Sequence, residues 1–184
     1  MARSSRKDAE KHRTEVIEAA ARLFRERGIE GVSVAELMAA AGLTHGGFYK
    51  QFGSKEELAE LASRAAFADT VAYMDAILGK TPNVRAARKT IVANYLSSAH
   101  RDNPGTGCPT AALAHDAASD VFGPAYAEGV EAMAGRLRAA GDPRPLATIA
   151  QLAGALLIAR ATRGTALSDQ ILDQARSALE AVEK

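Results

Sequence analysis

Between Ser33 and Lys55 the chain gathers side chains able to meet a nucleic acid. Thr44, His45, Gly46, Gly47, Tyr49, Lys50 and Gln51 surround one apolar residue, Phe48. Hydroxyl, imidazole and ammonium groups are the kinds that address base edges in the major groove. Thr44 and His45 are the best base-edge candidates, and Lys50 has the reach for a guanine or a phosphate. Tyr49 and Gln51 suit phosphate contacts, which position a protein without reading sequence. Either Gly46 and Gly47 let the backbone approach DNA closely, or they form a loose turn. Ser33 and Lys55 stand at first helical turns, where free amides face phosphates. Ser54 reads as a helix cap alone.

A second set of reactive types lies further along. Gly107-Cys108-Pro109 opens a helix, with the proline suited to its first turn. A thiol at a helix N-terminus can become reactive, so Cys108 is a candidate sensor of oxidants or electrophiles. The plainer alternative is an inert, packed side chain. His100, Asp102, His115 and Asp116 are near in sequence, but His115 and Asp116 are adjacent and point to different helix faces. His100 and His115 lack ordinary ligand spacing. We expect no metal, no cofactor and no catalytic residue.

Charge and composition bound the partners. The 184 residues carry a net charge of +1. However, five bases (Arg3, Arg6, Lys7, Lys11, Arg13) fall before Thr14, against Asp8 and Glu10. Such an arm suits phosphate contact, although solvated termini are common. One cysteine excludes an internal disulfide and fits a reducing compartment. No apolar leader is visible, and Pro145 to Ala159 is shorter than the roughly 20 residues of a membrane span. A cytoplasmic protein with no membrane partner is expected.

The elements that must hold these residues read as helices throughout. Val16, Ala20, Leu23 and Phe24 form one apolar stripe of a first helix, Lys7 to Arg27, stopped by Gly28. Ser33 and Glu36 fit a capping box opening a second helix, which Gly42 ends. Thr44 caps a third, running to about Gln51, with Leu43, Phe48 and Phe52 facing the core. Ser54 and Glu57 form another box, opening a long fourth helix to about Leu78. Further helices are expected over Asn83 to His100, Pro109 to Ser119, Pro124 to Ala140, Pro143 to Thr162 and Ser168 to Val182, separated by Gly- and Pro-rich turns. Two short helices joined at Gly42-Leu43 make a helix-turn-helix, whose second helix enters the major groove.

Val16 to Leu58 resembles the amino-terminal domain of the TetR/AcrR family of transcriptional regulators. The residues that carry the resemblance are Ile17-Glu18-Ala19-Ala20, Leu23-Phe24, Gly28, Gly31, Val34, Ala41-Gly42, Phe48-Tyr49 and Phe52-Gly53-Ser54-Lys55-Glu56-Glu57-Leu58. The Gly46-Gly47 pair departs from it, since many members carry a bulkier residue there. The resemblance implies an all-α protein of about nine helices, with a helix-turn-helix domain (1–53) followed by a ligand-binding and dimerisation domain (54–184). It implies a homodimeric repressor on a palindromic double-stranded operator, released by a small, mainly apolar effector. Lys55 would be a phosphate-binding lysine, and the fourth helix the lever from pocket to DNA. The effector pocket would draw on Phe67, Tyr73, Met74, Ile77, Tyr95, His100, Cys108, Leu113, His115, Phe122, Tyr126 and Met133.

The last two helices usually form the family's dimer interface. Leu146, Ile149, Leu152, Ala153, Leu156 and Leu157 in one, and Ile171, Leu172, Ala175 and Leu179 in the other, are the candidates here. The first of these helices is apolar on nearly all sides, more than one-sided packing requires. The competing reading is an intramolecular core. A regulator is thus expected, with a helical adaptor carrying a non-functional DNA domain as the alternative.

Overall fold

The computed structural model describes residues 2–118 and 122–181. Among them are ten α-helices and two 3-10 turns, with no strand. Helix α1 (Ala2–Arg27) and α2 (Val34–Ala40) precede a 3-10 turn, His45–Lys50. Then come α3 (Lys55–Lys80), α4 (Val84–Tyr95) and α5 (Ser98–Asp102). A second 3-10 turn, Pro104–Thr106, leads to α6 (Pro109–Ala112), α7 (Ala114–Ala117), α8 (Gly123–Ala139), α9 (Pro145–Ala161) and α10 (Ala166–Ala181). None of the helices is long and apolar enough to cross a membrane among the described residues.

Local chemistry explains most boundaries. Gly28 and Gly42 hold φ of +73° and +71°, the left-handed region that ends a helix cheaply only at glycine. Ser33 Oγ accepts the Glu36 amide at 3.2 Å while Glu36 Oε2 accepts the Ser33 amide at 2.9 Å, completing the expected box. The Ser54 box forms only in half. Ser54 Oγ accepts the Glu57 amide, but the Glu57 carboxylate takes the amide of Gly53 instead.

Besides the segment after Gly42, three expected helices differ. Periodicity predicts α1 from Lys7, yet its turns continue back to Ala2. The helix expected over Asn83–His100 breaks at Leu96 (φ −93°, ψ 47°), and Ser97 caps a separate α5. That expected from Pro109 breaks at Leu113 (φ −110°, ψ 5°), leaving the two short turns α6 and α7. Ser119 and Val182, expected helix ends, lie outside the described residues.

Two apolar clusters follow. Val16, Phe24, Leu37, Met38, Phe48, Phe52 and Leu58 pack in the amino-terminal one. Met74, Ile91, Leu137, Leu152 and Leu156 belong to the other. Helix α3 serves both: Leu58, Ala62 and Ala66 enter the first, Phe67, Met74 and Ile77 the second. It packs along α1 and α8. A buried pair, Arg88 Nε to Asp142 Oδ2 at 2.9 Å, ties α4 to the turn before α9, and Arg88 also reaches the Leu179 carbonyl of α10.

Candidate DNA interface and candidate effector cavity

The segment after Gly42 is a 3-10 turn rather than an α-helix. The Gly47 amide bonds the Thr44 carbonyl at 3.0 Å, and that of Gln51 bonds the Phe48 carbonyl at 2.8 Å. Thr44 sits at the cap position, but its side chain makes no capping bond, contrary to expectation. Two consecutive glycines disfavour an α-helix by about 1 kcal/mol each relative to alanine. Without a side-chain cap, the tighter turn prevails in so short a piece.

Phe48 and Phe52 anchor the segment, both essentially buried, with ring centres 5.4 Å apart. Thr44, His45, Gly46, Tyr49 and Lys50 face solvent. Tyr49 is 69% exposed and stands edge-on to both Phe48 and His45. The two glycines differ. A Cβ at Gly46 would meet nothing within 4 Å, whereas one at Gly47 would touch Met38 of α2 at 3.4 Å. Lys55 is half-buried in the first turn of α3. The Ser33 hydroxyl is occupied by Glu36, to which it also donates at 2.7 Å. Gln51 is half-buried, with its side-chain carbonyl oxygen buried and without a hydrogen-bond partner.

Arg13 is the residue that sequence reasoning misses. Counted there among the basic arm, it instead braces the exposed segment from α1. Its guanidinium donates to the Gln51 carbonyl, lies 4.4 Å from the Phe52 ring centre, and pairs with Glu57 at 3.2 Å. No local spacing signals partners about forty residues away.

Behind this head, α3, α4, α8 and α9 enclose a cavity of about 410 Å3 with α5 and the turn before α6. Tyr73, Met74, Tyr95, His100, Cys108 and Met133 line it, as expected, and so do the unforeseen Asp69, Thr70, Ile91, Asn94, Ser97, Thr106, Leu137 and Leu152. The other expected residues lie elsewhere. Phe67 packs edge-on to Tyr126 and covers Gly129. Ile77 belongs to the second core, Leu113 and Phe122 to the first, and His115 is exposed. The Tyr126 hydroxyl donates to the Thr110 carbonyl at 2.7 Å.

His100 is held on both sides. Its Nε2 accepts the Cys108 amide at 2.9 Å, so Nδ1 carries the proton and donates to the Tyr95 carbonyl at 2.7 Å. Burial pulls its pKa below the ordinary value, with a smaller push the same way from Arg160. Cys108 is buried, its sulfur 3.0 Å from the Thr110 hydroxyl and 3.7 Å from the Met133 thioether. Burial raises its pKa, against the expectation of a thiol activated by a helix N-terminus. Removal from water outweighs the one-turn α6.

The turn carrying Cys108 also touches α1. Arg25 donates to the Gly107 carbonyl at 3.0 Å and to that of Ala21 at 2.9 Å. A Cβ at Gly105 would press on the side chains of Glu26 and Arg22, so the turn lies close against α1. One side of this strap therefore lines the cavity while the other rests on α1.

Of the expected interface residues in α9 and α10, Ile149, Leu152, Leu156, Leu172 and Leu179 are buried within the subunit. They have no surface left for a partner, because both helices also close the second core. Ala153, Ile171 and Ala175 are half-buried. Leu146 and Leu157 are more than half exposed, joined by Ile158 and Leu167.

Comparison with known proteins agrees with this geometry. Residues 16–62 match the family model described as bacterial regulatory proteins, tetR family. The HTH-type transcriptional regulator TtgR of Pseudomonas putida is 37% identical over 60 residues, 33% of this chain and 29% of the relative. The HTH-type transcriptional regulator AcrR of Shigella flexneri is 36% identical over 58 residues, 32% of this chain and 27% of that protein. The matched segment thus spans less than a third of these relatives. In overall fold the chain is similar to a TetR-family transcriptional regulator from Cytophaga hutchinsonii, with TM-score 0.78 at 22% identity over 95% of this chain and 96% of that one. It is equally similar to the reduced form of E. coli NemR, with TM-score 0.78 at 21% identity over 93% and 96% of the two chains.

Proposed function

We propose that the chain is a sequence-specific DNA-binding transcriptional regulator of the TetR kind rather than an enzyme, a reading supported by the match of residues 16–62 to the tetR family model. The observation that carries this reading is the exposed set Thr44, His45, Gly46, Tyr49 and Lys50 on a turn anchored by Phe48 and Phe52. An exposed set on an anchored turn is what groove entry requires. Residues 1–53 would read DNA and residues 54–184 would bind the effector and pair two copies. The protein would act as a homodimeric repressor on a palindromic operator, since two-fold symmetry matches paired half-sites. The exposed apolar residues Leu146, Leu157, Ile158 and Leu167 support pairing through α9 and α10. The mainly apolar cavity supports release by a small ligand, its size being that of an ordinary ligand site. A small electrophile entering the cavity would also meet Cys108.

Selection of bound fragments from a random DNA pool tests the DNA reading. Enrichment of a palindrome with two half-sites is expected, with affinity falling steeply as salt rises. No enriched sequence and no salt-sensitive binding would overturn it. The Cys108 route is tested by operator binding after treatment with N-ethylmaleimide. An equal response from Cys108→Ser would exclude it.

A further inference from the structure

His100 stands where the cavity, the strap and α9 meet. The residue is half-buried and lines the cavity. Its Nε2 accepts the amide of the buried Cys108 at 2.9 Å, while Nδ1 donates to the Tyr95 carbonyl at 2.7 Å. The Tyr95 ring meets it edge-on, with centres 4.6 Å apart. Gly107 lies so near that a Cβ there would come within 2.9 Å of Nε2 and 2.6 Å of the Arg160 guanidinium. The residue that His100 holds is therefore next to the one whose carbonyl takes the Arg25 guanidinium of α1 at 3.0 Å. The chain beyond the strap touches the head again, where the Asp116 carboxylate of α7 accepts the Ile29 amide at 3.3 Å. The end of α1 thus rests on a strap whose place depends on a ring nitrogen remaining an acceptor.

Resting on the DNA-binding reading above, we propose that His100 is a proton-operated latch: a proton on Nε2 releases the Cys108 amide, loosens the strap from α1 and weakens operator binding in acid. Neutral imidazole has a donor and an acceptor, whereas imidazolium has two donors and no acceptor. The proton would set two N–H groups face to face and leave the Cys108 amide without its partner in a buried place, which is costly. The charges around the ring do not relieve this. From α9, Arg160 donates to the Arg101 and His100 carbonyls at 3.2 and 3.0 Å, a cation beside the ring. From α1, the buried Arg25 places a second cation behind the strap, and Glu26 pairs with Arg22. On α5 itself, Arg101 is engaged by Asp102 and by Asp169 of α10. Helix α3 brings the phenol of Tyr73 and the carboxylate of Asp69, which is exposed, and α8 brings the uncharged Met133. Tyr95 of α4 and the Cys108 thiol are both kept protonated by burial. The latch is therefore closed above the ordinary histidine value and opens as pH falls below it. Once the strap loosens, α1 loses a fixed orientation, and Arg13 of α1 no longer holds the exposed 45–50 turn in one place. Two heads that must meet paired half-sites then carry a larger ordering cost.

Fluorescence anisotropy on the palindrome enriched by selection, read at constant salt from about pH 8 to about pH 5.5, tests the latch in wild type and His100→Gln. Glutamine keeps an acceptor and a donor but does not titrate. His12, His45 and His115 are common to both proteins, so the ratio of their affinities isolates His100. At the alkaline end the two should bind alike, and at the acid end wild type should bind about fivefold more weakly, with helicity by circular dichroism unchanged. Parallel curves, a ratio of opposite sign, or a loss of affinity that tracks a loss of helicity overturns the latch and leaves the DNA reading standing. If the glutamine variant does not fold, hydrogen exchange in wild type gives the decision. Protection of the Cys108 amide, corrected for the intrinsic rate, should collapse across the same acid range while that of Leu23 in α1 persists. Protection of Cys108 that persists as well overturns the latch. Absence of operator binding by wild type at the alkaline end overturns the DNA reading, and the latch with it.

Discussion

Arg13 joins three neighbours: the Gln51 carbonyl that ends the exposed 45–50 turn, the ring of Phe52 and the carboxylate of Glu57. A guanidinium is suited to this, since it stacks with its face while donating from its edge. The placement makes Arg13 a positioning residue, so Arg13→Ala should weaken operator binding by roughly tenfold, about 1.4 kcal/mol. The salt dependence should stay unchanged. Lys50→Ala should lower the slope of log affinity against log salt by about one if Lys50 meets a phosphate. Gel shifts across a salt series separate the two, and a reduced slope for Arg13→Ala would return that residue to the phosphate-contacting arm. At His100 the sign of a pH effect follows from burial. Its folded-state pKa lies below the ordinary value of about 6.5. The neutral ring is therefore the form that the fold favours, and its contribution is complete above that value. That contribution is lost as pH falls through the ordinary value toward the folded one. Melts at descending pH should show wild type losing more stability between about pH 7 and 5 than His100→Gln. Parallel losses would place the pH sensitivity elsewhere.

At the scale of elements, two glycines in helical segments have opposite meanings. Gly46 faces open space, so Gly46→Ala should leave the melting temperature unchanged or slightly raised. The same methyl would stand between backbone and groove, and operator affinity should fall. An unchanged affinity would show that the backbone does not approach DNA there. Gly129 lies against the face of Phe67, where α8 crosses α3, and a Cβ would land within that ring. Gly129→Ala should destabilise the fold by about 1–3 kcal/mol, the ordinary range for overpacking, read as a lower denaturation midpoint. The long helix α3, expected to be the lever from pocket to DNA, packs in both clusters. The strap from Pro104 to Cys108 adds a second physical connection, through Gly105 and Gly107 against α1.

For the whole molecule, the decisive surface is the outer face of α9. Leu157 and Ile158 are adjacent and each more than half exposed, while Leu156 is fully buried. If this face pairs two copies, Leu157→Glu with Ile158→Glu should yield monomers by sedimentation and lower affinity for a palindromic site. The monomer should remain helical by circular dichroism, because neither side chain closes the core. A dimer that survives both charges would place the interface elsewhere.

Much of this was legible from sequence because it is local. Caps at Ser33, left-handed glycines at 28 and 42, and the Val16–Phe24 stripe each depend on residues within two or three helical turns. These short-range rules also placed Thr44, His45, Gly46, Tyr49 and Lys50 outward, while Gly47 and Gln51, expected beside them, are half-buried. The Gly46-Gly47 pair was visible too, but whether it ran as α-helix or 3-10 turn rested on a balance of small backbone terms that no pattern displays. Tertiary structure alone decided what depends on distance through the fold: Arg13 beneath the exposed 45–50 turn, Asp69 in the cavity wall, and the strap against α1. It also divided the evenly apolar α9 into a face used by its own core and a face left outside. Periodicity shows that a side chain must be buried or exposed, but its partner is chosen by packing between segments far apart in the chain.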